Sequence, residues 1–164
     1  MSVNNHRPHV FVLPEDDANR QLANGFHLEV GGTRQMQVLP EVRGWPHVLD
    51  VFESVHVAGL RRFPERFIVL LIDFDEDTNR LARFQRRIPE DVAGRVFVLG
   101  TWSAPERLTA RLGNQSCETV GRVLADECRT GRRDTWTHML LRHNAAELVR
   151  LEERVCAILF PPAN

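Results

Sequence analysis

A chain of 164 residues, 43% hydrophobic and 26% charged, has the material for one packed domain, and a formal net charge of −1 argues against a general coat for nucleic acid. All 21 basic residues are arginine and tyrosine is absent. This excludes a phosphate-loop lysine, a Schiff-base lysine, a kinase-type lysine and a tyrosine nucleophile.

The polar stretch from Met1 to Pro8 lacks the apolar core of a signal peptide. No apolar run is long enough to cross a bilayer, so no membrane partner is expected. Three cysteines, Cys117, Cys128 and Cys156, are odd in number and lack CxxC spacing. They read as reduced thiols of a cytoplasmic protein, with Cys117 and Cys128 packing on an apolar helical face.

His9 to Leu13 is a short apolar run that predicts the first strand, ended by Pro14. Glu15 follows at the strand's carboxyl end. Asp16 and Asp17 lead into a helix over 18–25 that Gly25 closes, and acids in a first turn favour the helix dipole. Gly31-Gly32 marks a turn, and Arg34 to Leu39 alternates as a second strand. Gly44-Trp45-Pro46 opens a helix with Val48, Leu49, Phe52 and Val55 as its apolar stripe. His47 and His56 flank that stripe without a partner motif for metal.

Phe67 to Ile72 is unbroken apolar sequence, the pattern of a central strand buried on both faces. It stops at Asp73-Phe74-Asp75. Two carboxylates there can converge on a hard cation, and either can instead cap a helix. A helix to about Arg87 follows, with Arg80, Arg83 and Arg87 on one face. This stripe reads as a guide for a phosphate backbone or as a solvated face. Arg95 to Leu99 predicts the fourth strand, and Ser103-Ala-Pro-Glu106 has capping-box spacing. From Ser116 the chain reads as helices: one with Cys117, Val120, Leu124 and Cys128, stopped by Gly131; one with Trp136, Met139 and Leu140; and one capped by Asn144-Ala-Ala-Glu147.

The predicted fold is therefore α/β, a mostly parallel sheet flanked by helices with a helical C-terminal extension. It is a single domain over 1–164, with an α/β core at 9–100 and a mainly helical part at 101–164. Strand ends of a parallel sheet share an edge, so Glu15, Asp73 and Asp75 should meet there.

A glutamate after the first strand and Asp-x-Asp after a later central strand resemble the Toprim family, whose domains occur in topoisomerases, bacterial primases and overcoming-lysogenisation-defect nucleases. The resemblance covers about residues 9 to 100. It implies Glu15 as the catalytic acid/base, Asp73 and Asp75 as ligands of Mg²⁺ or Mn²⁺, and Asp16 or Asp17 as a further ligand. Asp16 stands where the family usually has glycine. The implied function is magnesium-dependent phosphodiester chemistry on nucleic acid, as in a hydrolase or DNA-binding nuclease of a defence locus. Arg80, Arg83 and Arg87 would bind substrate. The chain has no glycine-rich phosphate loop, so any ATPase would be a separate subunit. Two other readings stand beside this one. A receiver-like signalling domain would use Asp16, Asp73 and Thr101 but needs a lysine that the chain lacks. A non-catalytic interaction subunit would keep the acids only as caps.

Overall fold

The computed structural model describes residues 2–31 and 34–162. Gly32, half of the expected turn, lies outside them. Four strands, β1 (His9–Pro14), β2 (Met36–Val38), β3 (Arg66–Asp73) and β4 (Val96–Thr101), form a single all-parallel sheet in the order β2-β1-β3-β4. The helices are α1 (Asp17–Val30), α2 (Trp45–Val51), α3 (Val57–Arg62), α4 (Arg80–Arg87), α5 (Pro105–Arg111), α6 (Cys117–Thr130), α7 (Ala145–Leu151) and α8 (Ala157–Leu159).

Alternation along the strands feeds two cores. Val10, Val12, Phe67, Val69, Phe97 and Leu99 pack towards α1, α5, α6 and the C-terminal helices. Leu13, Ile68, Leu70, Ile72, Val96 and Val98 pack towards α2, α3 and α4. The C-terminal helices thus share a core with the sheet. The chain leaves β1 for β2 on one side and returns past β1 to β3 on the other. The gap between β1 and β3 is therefore the topological switch point, where open α/β sheets place their ligands.

Several boundaries differ from expectation for identifiable reasons. Helix α1 does not close at Gly25 but runs on to Val30, with Gly31 at φ 59° as its cap. Gly25 serves packing instead. A Cβ there would collide with the backbone of Glu118, and one on Gly121 with the carbonyl of Leu22. The two glycines let α1 and α6 meet backbone to backbone. Gly121→Ala should cost about 1–3 kcal/mol in urea unfolding, as overpacking does. Gly94→Ala, where a Cβ meets nothing within 4 Å, should change stability by less than about 0.5 kcal/mol.

The expected helix after Trp45 contains a π segment, Phe52–His56, between α2 and α3. The wider turn rotates the stripe. Val55 ends up 59% exposed, while His56 and Val57 turn inward. The stretch around Trp136 is turn rather than helix: Trp136 and Leu140 are buried and Met139 is exposed.

Neither capping box beyond β4 forms. Ala104, not Ser103, precedes α5. Asn144 and Glu147 reach across to the outer edge of β4 instead. Glu147 accepts the Val98 N–H at 2.9 Å, and the Asn144 amide exchanges bonds with both backbone groups of Gly100 at 3.2 and 2.9 Å. Arg150 donates to the Val96 carbonyl at 3.3 Å. A helix face thereby completes an edge strand that would otherwise offer open pairing sites.

The cysteines correct the expectation of three reduced thiols. Cys128, at the end of α6, and Cys156, in a π segment between α7 and α8, form a disulfide, leaving Cys117 as the buried free thiol. The pairing removes the argument for a reducing compartment. Among the described residues no helix is long and apolar enough to cross a membrane.

Candidate functional site

Glu15 and Asp73 meet at the switch point. Pro14 ends β1, and the loop after it is tied on both sides. The Glu15 N–H donates to the Leu71 carbonyl at 2.9 Å, while the Glu15 carbonyl accepts from Arg43 at 2.7 Å. So anchored, the side chain turns towards β3, and Oε2 accepts the Asp73 backbone N–H at 2.8 Å. Both residues are only 8% exposed.

Asn19, fully buried one turn into α1, joins the two strand ends. Its Nδ2 donates to Asp73 Oδ1 at 2.9 Å and to Asp16 Oδ1 at 3.0 Å. Its own Oδ1 is buried without a partner. Thr101, at the end of β4, places its hydroxyl 3.5 Å from Asp73 Oδ1 and donates to the Ser103 carbonyl at 2.6 Å. Sequence reasoning missed Asn19 as a site residue. Its position in the first turn of α1, three residues after the Asp16 cap, was the available signal.

Burial pushes the Asp73 carboxyl up to about 7; the Asn19 hydrogen bond opposes this, and the charges of Asp16, Glu15 and Asp75 add to it. Glu15 is also raised, first by burial, with the Asp73 N–H opposing and Asp16 and Asp75 adding. Two buried carboxyls, both raised above the ordinary carboxylate value, form a site that favours a proton or a cation.

The remaining expected ligands have other partners. Asp16 is the N-cap of α1, accepting from the Asn19 N–H. Asp75 accepts from Arg80 Nη1 at 2.7 Å. Among the described residues no group of three or more His, Cys, Asp or Glu side chains is arranged to hold a metal ion. Of the four acids, Glu15 and Asp73 meet directly, while Asp16 and Asp75 are engaged by Asn19 and Arg80.

The arginine stripe is also taken up. Arg80 is buried over the Trp45 ring, 4.7 Å from its centroid. Arg83 lies 3.3 Å from the Asp77 carboxylate. Arg87 is clamped by Glu53 at 2.8 Å and Asp50 at 3.1 Å, facing the α2 side rather than the strand ends. All three are paired with acids in this structure, and Arg80 is the one that borders the Glu15–Asp73 pair.

An aromatic group backs the loops after β3 and β4. Phe74 and Trp102 stack 6.3 Å apart, and the His143 ring lies 4.7 Å from Phe74 and 5.3 Å from Trp102. Burial pushes His143 down to about 4. A neutral imidazole in this packing supports the loops rather than titrating near neutrality.

Comparison with known proteins returned no matching family model, no matching curated protein and no matching solved structure.

Proposed function

We propose that the chain performs divalent-cation-dependent phosphodiester chemistry on nucleic acid, with Glu15 as acid/base and Asp73 as the principal cation ligand. The observation that supports this reading is the Glu15–Asp73 pair at the switch point, buried and raised in pKa. The donor set fits Mg²⁺ or Mn²⁺: both side chains offer hard oxygens, and Mg²⁺ is commonly held by one or two carboxylates, with water and substrate phosphate completing its shell. When bound, such a cation neutralises phosphate charge and acidifies a bound water.

The chain's own groups divide the work. Asn19 fixes one oxygen of Asp73, leaving the other free to face a ligand. The Asp73 N–H fixes Glu15 Oε2. A Glu15 carboxyl raised by burial above the ordinary carboxylate value is a better match to proton exchange with an attacking water or a departing hydroxyl than an exposed carboxylate. The family suggested by these residues is Toprim, and an ATP-driven step would need a separate ATPase chain.

The test is cleavage of single- and double-stranded DNA and RNA with Mg²⁺ or Mn²⁺, alongside calorimetry of cation binding. Glu15→Gln retains an oxygen to accept the Asp73 N–H, so its fold should persist while cleavage falls by about 10²–10⁴-fold. Absence of both cation binding and cleavage in the wild type would leave the chain as an interaction subunit.

The proximity of Thr101 to Asp73 favours a second reading, a receiver-like phosphoacceptor. Against it, the chain has no lysine, and β4 is the sheet's outer strand with its edge already filled by Asn144 and Glu147. Labelling of Asp73 by a small phosphodonor would establish it.

A further inference from the structure

The acid and the arginine expected to serve cation and phosphate separately are bound to each other. Arg80 Nη1 donates to Asp75 Oδ2 at 2.7 Å and to the Asp73 carbonyl at 2.9 Å. The two partners differ in freedom. The Arg80 side chain is 8% exposed and rests on Trp45, whereas the Asp75 side chain is 57% exposed. The Nε of Arg80 is buried without a hydrogen-bond partner, with Asp77 Oδ2 at 3.8 Å. Asp75 and Glu76 both hold left-handed backbone, φ 49° and 58°, which non-glycine residues adopt at a cost.

We propose that the Asp75–Arg80 ion pair is a latch that a divalent cation and a phosphate open together. Asp75 passes from Arg80 to the cation beside Asp73, and a phosphate oxygen takes its place on Arg80. This rests on the cation-dependent phosphate chemistry proposed above.

Arg80 stays and Asp75 moves, because one is packed on a ring and the other stands in solvent at the head of a strained loop. The exchange is balanced in charge: a carboxylate leaves the guanidinium and a phosphate oxygen arrives, forming another charge-assisted bond. Because Arg80 is buried, the pair opens only when another anion takes the carboxylate's place. Neither ligand alone gains the full benefit. Cation without phosphate strands the buried guanidinium, and phosphate without cation must displace the carboxylate. By linkage each ligand raises the other's affinity by the same factor.

The experiment is calorimetry of Mg²⁺ binding to the full chain, with and without inorganic phosphate. The proteins are wild type, Arg80→Gln, Asp75→Asn, the double variant, and Arg83→Gln as a charge-matched control. Phosphate should raise wild-type Mg²⁺ affinity at least about fivefold. Arg80→Gln should raise the phosphate-free Mg²⁺ affinity about tenfold, within the usual range of coupling between sites, and Arg83→Gln should change it far less. The gain should vanish when Asp75→Asn is already present. A gain that persists in that background reflects only the removed positive charge and overturns the latch, as does no gain at all.

Should Arg80→Gln melt far below the wild type, Asp75→Asn reads the latch from the other side. Its affinity for phosphate without cation, followed by ³¹P resonance, should rise severalfold, and phosphate should enhance Mg²⁺ binding less than in the wild type; unchanged affinity overturns the proposal. A wild type that binds Mg²⁺ but shows no coupling refutes the latch alone. A wild type that binds neither Mg²⁺ nor Mn²⁺, even with phosphate, refutes the functional reading and the latch together.

Discussion

Asp73→Asn should abolish cation binding and cleavage, yet melt at a higher temperature than the wild type in metal-free buffer at pH 8. The sign follows from linkage. The folded protein holds the Asp73 proton up to about 7, whereas the unfolded chain releases it near 3.8. Between these values the folded state binds more protons, so stability falls as pH rises, and above about 7 the full cost of a buried charge is present. At 1.36 kcal/mol per pKa unit the ceiling on that cost is about 4 kcal/mol. Asparagine removes the charge and keeps an oxygen to accept from Asn19. The stabilisation should therefore be largest above pH 7 and shrink towards pH 4, where the wild-type carboxyl is protonated. Thermal melts of both proteins across this range read it. If Asp73 were only a structural acceptor of hydrogen bonds, the variant would melt no higher at pH 8 than at pH 4 relative to wild type. Mg²⁺ should raise the wild-type melting temperature and leave that of Asp73→Asn unchanged, because a ligand stabilises only the state that binds it.

The meeting of Glu15 and Asp73 was legible because it depends on two coarse signals. The runs at His9–Leu13 and Phe67–Ile72 announce strands, and parallel strands place their carboxyl ends on one edge. What periodicity does not encode is partner choice. It puts Arg80, Arg83 and Arg87 on one helical face but cannot say that the first two fold back on Asp75 and Asp77 while Arg87 finds Glu53 from another segment. The π segment at Phe52–His56 is equally hidden, since an extra residue in a turn leaves composition unchanged while exchanging Val55 for His56 in the core. Asn144 and Glu147 carry the spacing of a helix cap, and only the position of β4 beside them turns their side chains into a substitute strand. Asn19 is hidden for a different reason: the link between the strand ends is a neutral amide among charged neighbours, and its type alone does not mark a site.

Breaking the Cys128–Cys156 disulfide should produce a large loss of stability and a local loosening that the Glu15–Asp73 site does not share. The bond spans 28 residues of sequence, a loop whose closure in the unfolded chain corresponds to about 3–4 kcal/mol in the chain-entropy account. It ties the end of α6 to the C-terminal helical segment. That segment supplies Asn144, Glu147 and Arg150 to the edge of β4, and Leu148, Leu151, Val155 and Leu159 to the core. Cys128→Ser with Cys156→Ser should therefore lower the midpoint of urea unfolding. In hydrogen exchange, the amides of Val98 and Gly100 should lose protection, because their acceptors are side chains on the released segment. The Asp73 amide, held by Glu15 on the far side of β3, should lose protection only in step with the global loss of stability. Reductant added to the wild type should reproduce the shift, and added to the double serine variant should do nothing. Unchanged midpoints in all four conditions would mean that the sulfurs are not joined in solution. A lowered midpoint with Val98 and Gly100 still protected to the global limit would mean that packing of Leu148 and Leu151, not the disulfide, holds the edge of β4 closed.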